Sequence, residues 1–263
     1  MNFRIIILAL MIALAGCVEQ EVAESDIVSV EASPEKVFAG GETILYIDVE
    51  NKDTKPMGNI NIDVFDKGAF SEIECDQESM HLDELDPDGL YTTQCKLKAP
   101  DSVPQQLVNT KVQTRVNYDA KLSIKQLLRL ISPENYELMM NTGELEQGPS
   151  TYVYRDKNIE LQADFSKNMP IIDRGIKEYV YFTIRNIGGG YLDKLEKGDV
   201  TISGDKVRCD EIGELSPINN QFPRITCELN LDGDTNYLSS HLIDININYN
   251  YEVRKTLYVG IER

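Results

Sequence analysis

Tryptophan is absent from this chain of 263 residues, and histidine occurs only twice, as His81 and His241. Nucleophilic catalysis needs a base beside the nucleophile, and two histidines leave little to build one from. No Gly-x-Ser-x-Gly elbow, phosphate-binding loop or His-Glu-x-x-His pair is present. The reading is therefore of a protein that is not an enzyme and takes no cofactor. Positive charge is also scarce: 26 basic residues face 44 acidic ones. That balance excludes nucleic acid as an electrostatic partner and gives no attraction to an anionic membrane surface. Long apolar runs are missing except for one, Ile5 to Ala15. It is too short to span a bilayer core, which takes roughly 20 residues.

That run has a basic residue before it, Arg4, and small residues after it, Ala15 and Gly16. These are the three parts of a secretory signal. Leu14-Ala15-Gly16-Cys17 resembles the lipobox of bacterial and archaeal lipoproteins at all four positions. The resemblance implies cleavage after Gly16, lipidation of Cys17, and a mature chain held by lipid on the outer face of the cytoplasmic membrane. One acyl chain anchors only marginally, so stable attachment requires two or more. Residues 1–16 are then the signal peptide, and 17–25, with Glu19, Glu21 and Glu24, a short solvated tether. The mature chain keeps 25 basic and 44 acidic residues, a net charge of −19.

With Cys17 assigned to lipid, four cysteines remain, Cys75, Cys95, Cys209 and Cys227. No two stand at the two-to-four-residue spacing of a zinc knuckle, and an exported chain meets oxidising conditions. Of the three possible connectivities, Cys75–Cys95 with Cys209–Cys227 keeps each bond within one of two sequence copies. Those copies are visible elsewhere. Gly41 to Asn51 matches Gly175 to Asn186 as a glycine turn, an alternating strand and a terminal asparagine. Ile73-Glu74-Cys75-Asp76 matches Val207-Arg208-Cys209-Asp210, and Thr93-Gln94-Cys95 matches Ile225-Thr226-Cys227. Val112, Thr114, Val116 and Tyr118 alternate with polar residues, as do Ile243 to Tyr251, which marks strands with one buried face. A basic residue and a further apolar strand follow in each, Lys121 to Ile124 and Arg254 to Val259.

Frequent Tyr, Ile, Val and Thr favour strands, and short strands punctuated by Gly, Pro, Asn and Asp suggest a sandwich of about 100 residues per copy. The expected fold is all-β: two tandem immunoglobulin-like β-sandwiches, 26–130 and 151–263, joined by a short, partly helical linker, 131–150. In that linker Ser132-Pro133-Glu134 reads as a helix start. The copies resemble the CARDB-like and related immunoglobulin-like modules of archaeal and bacterial surface proteins, whose mark is a strand ending in Asn followed by Gly, as in Asn186-Ile187-Gly188-Gly189-Gly190. Asn51-Lys52-Asp53-Thr54-Lys55-Pro56 departs from this by lacking the glycine.

Asp83, Asp86 and Asp88 before Gly89 give a partial calcium-loop pattern, but Cys95 stands where an EF-hand needs glutamate. Turn chemistry accounts for the same residues, so no metal is expected. The function implied is a non-enzymatic surface lipoprotein, a spacer and interaction module with a protein or glycan partner. The alternative is a solute- or glycan-binding receptor of a transport or degradative complex. That receptor would gather Tyr152, Tyr154, Tyr179, Tyr181, Tyr249 and Tyr251 at the mouth of a pocket.

Overall fold

The computed structural model describes residues 27–233, 235 and 237–263. Cys17, the expected signal peptide and the expected tether lie outside the described residues. The first copy lays down β1 (Val28–Ser33), β2 (Lys36–Phe38), β3 (Glu42–Glu50), β4 (Met57–Asp66), β5 (Glu72–Cys75), β6 (His81–Leu85), β7 (Leu90–Lys98) and β8 (Leu107–Ile131). A helix, α1 (Pro133–Thr142), follows. The second copy gives β9 (Thr151–Arg155), β10 (Ile159–Phe165), β11 (Ile171–Ile172), β12 (Glu178–Asn186), β13 (Val200–Ser203), β14 (Val207–Cys209), β15 (Ile225–Leu229) and β16 (Leu238–Glu262).

The fold is all-β and sandwich-like. One sheet has the order β1-β3-β7-β5 and a second the order β14-β15-β12-β10-β9. The largest runs β13-β16-β8-β4-β6, with β11 added to β8 and β2 to β16 in parallel. Its spine is the antiparallel pair of β8 and β16, 25 residues each, in unbroken register from Leu107↔Glu262 to Ile131↔Leu238.

Two successive strands were expected at the end of each copy; each is instead one continuous strand. The reason lies in the phase of the pattern. Buried positions on β8 stay in step from Val112, Val116 and Tyr118 to Leu122, Ile124 and Leu128, and on β16 from Ile243 to Ile261. Neither Tyr118-Asp119-Ala120-Lys121 nor Tyr249-Asn250-Tyr251-Glu252 contains the glycine or proline that a tight reversal favours. With nothing to turn the chain, each strand runs straight on. The first part of β8 pairs with β4 of its own copy, while its last residues pair with β11 of the second. Reciprocally, the first part of β16 pairs with β13 of its own copy, and its last residues pair with β2 of the first. Each copy thus completes the other's sheet, and buried side chains from both form one continuous core.

The copies repeat a second device. β1 leads through the cis peptide Ser33–Pro34 into β2, and β10 leads through the cis peptide Met169–Pro170 towards β11. In each case the chain leaves a smaller sheet for the long one. The disulfides are Cys75–Cys95 and Cys209–Cys227, with Cα atoms 4.2 and 4.1 Å apart. Each joins directly opposed residues on neighbouring strands, β5 to β7 and β14 to β15. They clamp short edge strands within a sheet, whereas the antibody-domain bridge crosses between sheets.

Ser132 caps α1 by accepting from the Asn135 N–H at 3.3 Å, Pro133 begins it, and Gly143 ends it in the left-handed region with φ 73°. No α1 residue is buried. No helix among the described residues is long and apolar enough to cross a membrane.

On the buried face of β8, Thr114 is fully enclosed and its hydroxyl has no hydrogen-bond partner. An unsatisfied buried hydroxyl costs roughly 1–3 kcal/mol. Replacing it with the isosteric Thr114→Val is expected to raise the free energy of unfolding by about 1 kcal/mol, measured by chemical denaturation.

Candidate functional site

Where the two copies meet, the core becomes polar. Asn158, 5% exposed, accepts from the Tyr118 hydroxyl at 3.2 Å and donates through Nδ2 to the Tyr249 hydroxyl at 3.1 Å. Tyr249 in turn donates to Asp156 at 2.7 Å. The Tyr251 hydroxyl donates to Asn186 Oδ1 at 3.1 Å and accepts from the Gly190 N–H at 2.9 Å. Asn186 also accepts from the Gly188 N–H and donates to the Gly190 carbonyl.

This explains the Asn-x-Gly-Gly-Gly signature physically. A Cβ at Gly188 would lie 2.2 Å from the Tyr251 hydroxyl oxygen, and one at Gly190 would lie 2.6 Å from its ring. Asn51, fully buried in the first copy, is filled by backbone groups instead: it donates to the Lys55 and Leu85 carbonyls and accepts from the Asp53 N–H. Its turn has no tyrosine hydroxyl bonded to that amide and needs no glycine.

Burial pushes the Tyr118, Tyr249 and Tyr251 hydroxyls above the ordinary tyrosine range, with the Asp156 carboxylate adding to the effect at Tyr249. A raised folded value means that the fold favours the protonated ring. That stability is present in full below the unfolded value of about 10 and is lost as pH climbs from there towards the raised value. Tyrosinate absorbance from these three rings is expected to appear only together with unfolding in an alkaline titration.

Over this junction, on the outer face of the long sheet, lies a cleft of about 970 Å³. Its floor is Asn117 from β8 with Asn250, Glu252 and Arg254 from β16. One wall is the β12–β13 segment with Tyr191, Asp193, Lys194, Glu196 and Asp199; Ser216 and Pro217 close it from the β14–β15 segment. The walls are stapled to the floor. Tyr191 and Glu252 exchange backbone hydrogen bonds of 2.7 and 2.9 Å, and the Asn248 N–H donates to the Asp199 carbonyl at 2.9 Å. Leu195 and Leu215 exchange another pair at 2.9 Å, and buried Leu192, Leu195 and Phe222 underpin the segment.

The Tyr191 ring is 56% exposed, with the Arg254 guanidinium 4.7 Å from its centroid. Arg254 also lies 5.8 Å from the Phe65 ring and donates to Glu252 at 2.5 Å. An aromatic plate held by a cation, beside amides and carboxylates, is a preformed polar recess. Its chemistry suits hydroxyl-rich ligands, since carboxylates accept from hydroxyls and amides do both.

The residues singled out by sequence fall elsewhere. Asp83 bonds His81 Nε2 at 3.2 Å with its carboxylate 99% exposed. Asp86 and Asp88 belong to the β6–β7 turn, where the Gly89 N–H donates to the Asp86 carbonyl and Asp88 sits at φ 58°. Among the described residues no three His, Cys, Asp or Glu side chains converge as a metal would require.

The six tyrosines are spread over three places. Tyr249 and Tyr251 are buried at the junction. Tyr179 and Tyr181 stack with centroids 6.4 Å apart, Arg224 lying over Tyr181 at 4.9 Å. Tyr152 packs edge-on to Phe165, and Tyr154 donates to Gln126. They do not form one mouth.

His241 is held in a relay. Its Nδ1 faces Asp205 Oδ2 at 2.7 Å, and its Nε2 faces the Ser239 hydroxyl at 3.0 Å. The hydrogen bond to His241 holds the Asp205 carboxyl below the usual carboxylate range. The order of groups is that of a nucleophilic serine, but Asp205 is 64% exposed and the large cleft is built from other residues.

No family model matches the chain, and no curated protein matches it.

Proposed function

We propose that this protein is a non-enzymatic surface lipoprotein, held to the outer face of the cytoplasmic membrane by lipid on Cys17, with two immunoglobulin-like units fused through their last strands. Their sequence extents are 26–130 and 151–263, with the α1 region between them. The units are of the CARDB-like kind, and their role is to present a rigid binding surface to an external partner. The observation that carries this reading is the cleft at the junction, walled by segments stapled to the central strands and lined by Tyr191, Asp193, Asn250 and Glu252. A recess preformed in this way spends little free energy on ordering when a ligand enters.

Two disulfides fit an oxidising exterior. The partner class that best matches the lining is a glycan, because the cleft offers hydroxyl-binding groups beside an exposed ring and has no apolar floor. The electrostatics agree: a strongly acidic ectodomain repels nucleic acid and polyanions, while uncharged sugars are indifferent to it.

Location is tested by the intact mass of protein from the membrane fraction, with and without reduction, beside Cys17→Ser. The expected mass is that of a chain beginning at Cys17 plus lipid, gaining four hydrogens on reduction. An unprocessed chain with free thiols would remove the export argument.

Binding is tested on an array of surface polysaccharides. Wild-type protein is expected to bind a subset, and Tyr191→Ala to lose at least about 1 kcal/mol of affinity, the scale of a stacking contact beyond area burial. Unchanged binding by Tyr191→Ala together with Asp193→Asn would place the recognition surface elsewhere.

A further inference from the structure

We infer that the tip of the first copy, bearing Phe38, Leu107 and Tyr258, rests in the headgroup region of the bilayer while the α1 tip points away from it. The inference builds on the lipid anchor proposed above. Its first support is where the described chain begins. Ile27 sits at the junction: its carbonyl accepts from the Glu50 N–H, and it lines a small recess with Tyr118, Lys121 and Asn158. The anchored end therefore leaves the molecule at its waist, not at a tip.

Nine residues lie between Cys17 and Ile27, a reach of about 35 Å at full extension. From Asp119 at the waist to Leu107 at the tip, β8 covers twelve residues, about 40 Å of strand. The waist can stand no farther from the lipid than the half-length of the spine. Any steep tilt consequently brings one of the two tips into contact with the bilayer.

The tips differ in chemistry. At the first, three adjacent strands present a row on the outer face, Phe38 on β2, Glu262 on β16 and Leu107 on β8. Phe38 and Tyr258 are each 68% exposed and Leu107 is 40% exposed. Between them stands Gly260, where a Cβ would lie 3.0 Å from Lys36 and 3.2 Å from Leu107. Lys36 and Leu107 therefore close over Gly260, leaving the rings proud of the sheet. Lys36 is paired loosely with Glu262 at 3.9 Å, and Lys111 stands opposite Tyr258 in register. Exposed aromatics with neighbouring lysines are the side chains that settle at a membrane interface, ring in the apolar boundary and ammonium among the headgroups.

At the other tip, Ile131 leads directly into α1, and from Pro133 to Gln147 the chain carries Glu134, Glu137, Glu144 and Glu146 with no basic residue. Carboxylates there disfavour approach to anionic headgroups. Leu138 and Met140, 58% and 47% exposed, are left facing outward.

The absence of tryptophan makes the orientation measurable, because a single introduced indole is the sole reporter of its kind. Phe38→Trp and Leu138→Trp replace exposed side chains. Each protein, taken with its own anchor from the membrane fraction, would be reconstituted into phosphatidylcholine vesicles with and without brominated acyl chains. The indole at position 38 is expected to emit at shorter wavelength on vesicles and to lose most of its emission to bromine, while that at 138 keeps its aqueous spectrum and intensity. An unquenched position 38, or equal quenching at both positions, overturns the proposal. A protein that fails to float with vesicles overturns the anchor reading instead. In that case the same variants, coupled through the Cys17 thiol to a maleimide lipid, read the tip contact independently by the same two outcomes.

Discussion

Everything in this molecule depends on two strands that do not turn. In a free-standing sandwich of this kind the chain would fold back after its penultimate strand and pair with itself. Here β8 and β16 run on, each leaving its own copy for the other, so the joining of the two copies is fixed by one 25-residue register. A slip of one residue would turn every side chain of the spine to the opposite face. The buried rows that both copies share make such a slip costly along the whole length at once. The spine is thus the element that turns two small units into one body with a single core.

The polar junction follows from that constraint. Where two copies share strands, the ends of their loops converge on the middle of the spine and carry backbone groups that must be satisfied. Asn158, Asn186 and Asn51 do this with short amides, and Tyr118, Tyr249 and Tyr251 bring hydroxyls in from the spine. A buried network of this sort stabilises only when it is complete, because an unpaired member costs more than the bond gained. Its completeness also fixes Gly188 and Gly190, whose missing side chains leave room for Tyr251. Rigidity at the waist is then transmitted to the outer face, where the same strands form the floor of the cleft.

Period-two alternation made the strands and the all-β class legible, and the matched spacing around Cys75, Cys95, Cys209 and Cys227 is the trace of two opposed edge-strand pairs. What alternation cannot carry is partnership. It states which face of Lys121–Ile131 is buried, not which copy buries it, so the continuation of β8 into the second copy's sheet left no mark except an absence, the lack of a glycine or proline between Tyr118 and Lys121. The tyrosines misled for a related reason. Tyr249 and Tyr251 alternate as any half-buried strand does, and nothing local separates a ring bound for the junction from one bound for a pocket. The cleft was invisible because its walls, 187–199 and 210–221, are irregular, the first held by backbone bonds to β16 and the second by a backbone pair to the first, which no pattern encodes. Asp205 is separated from His241 by 36 residues, so that relay too exists only in three dimensions.

The place of Ile27 at the waist bears on how the molecule is oriented. Were Ile27 at a tip, a lipid at Cys17 would leave the molecule free to stand upright on its tether, and the junction cleft would face sideways at any height. Because Ile27 lies at the waist, a lipid on Cys17 would hold the waist within about 35 Å of the bilayer, and the body would have few ways to avoid it. A rigid spine would convert a local preference, two exposed rings, Leu107 and two lysines around Glu262 at one end against four carboxylates around Leu138 and Met140 at the other, into a tilt of the whole molecule. A flexible pair of domains would let each end settle separately and would waste that difference. The unbroken register of β8 and β16 is therefore what allows a weak chemical asymmetry at the tips to decide which surface, the cleft included, is turned outward to meet a partner.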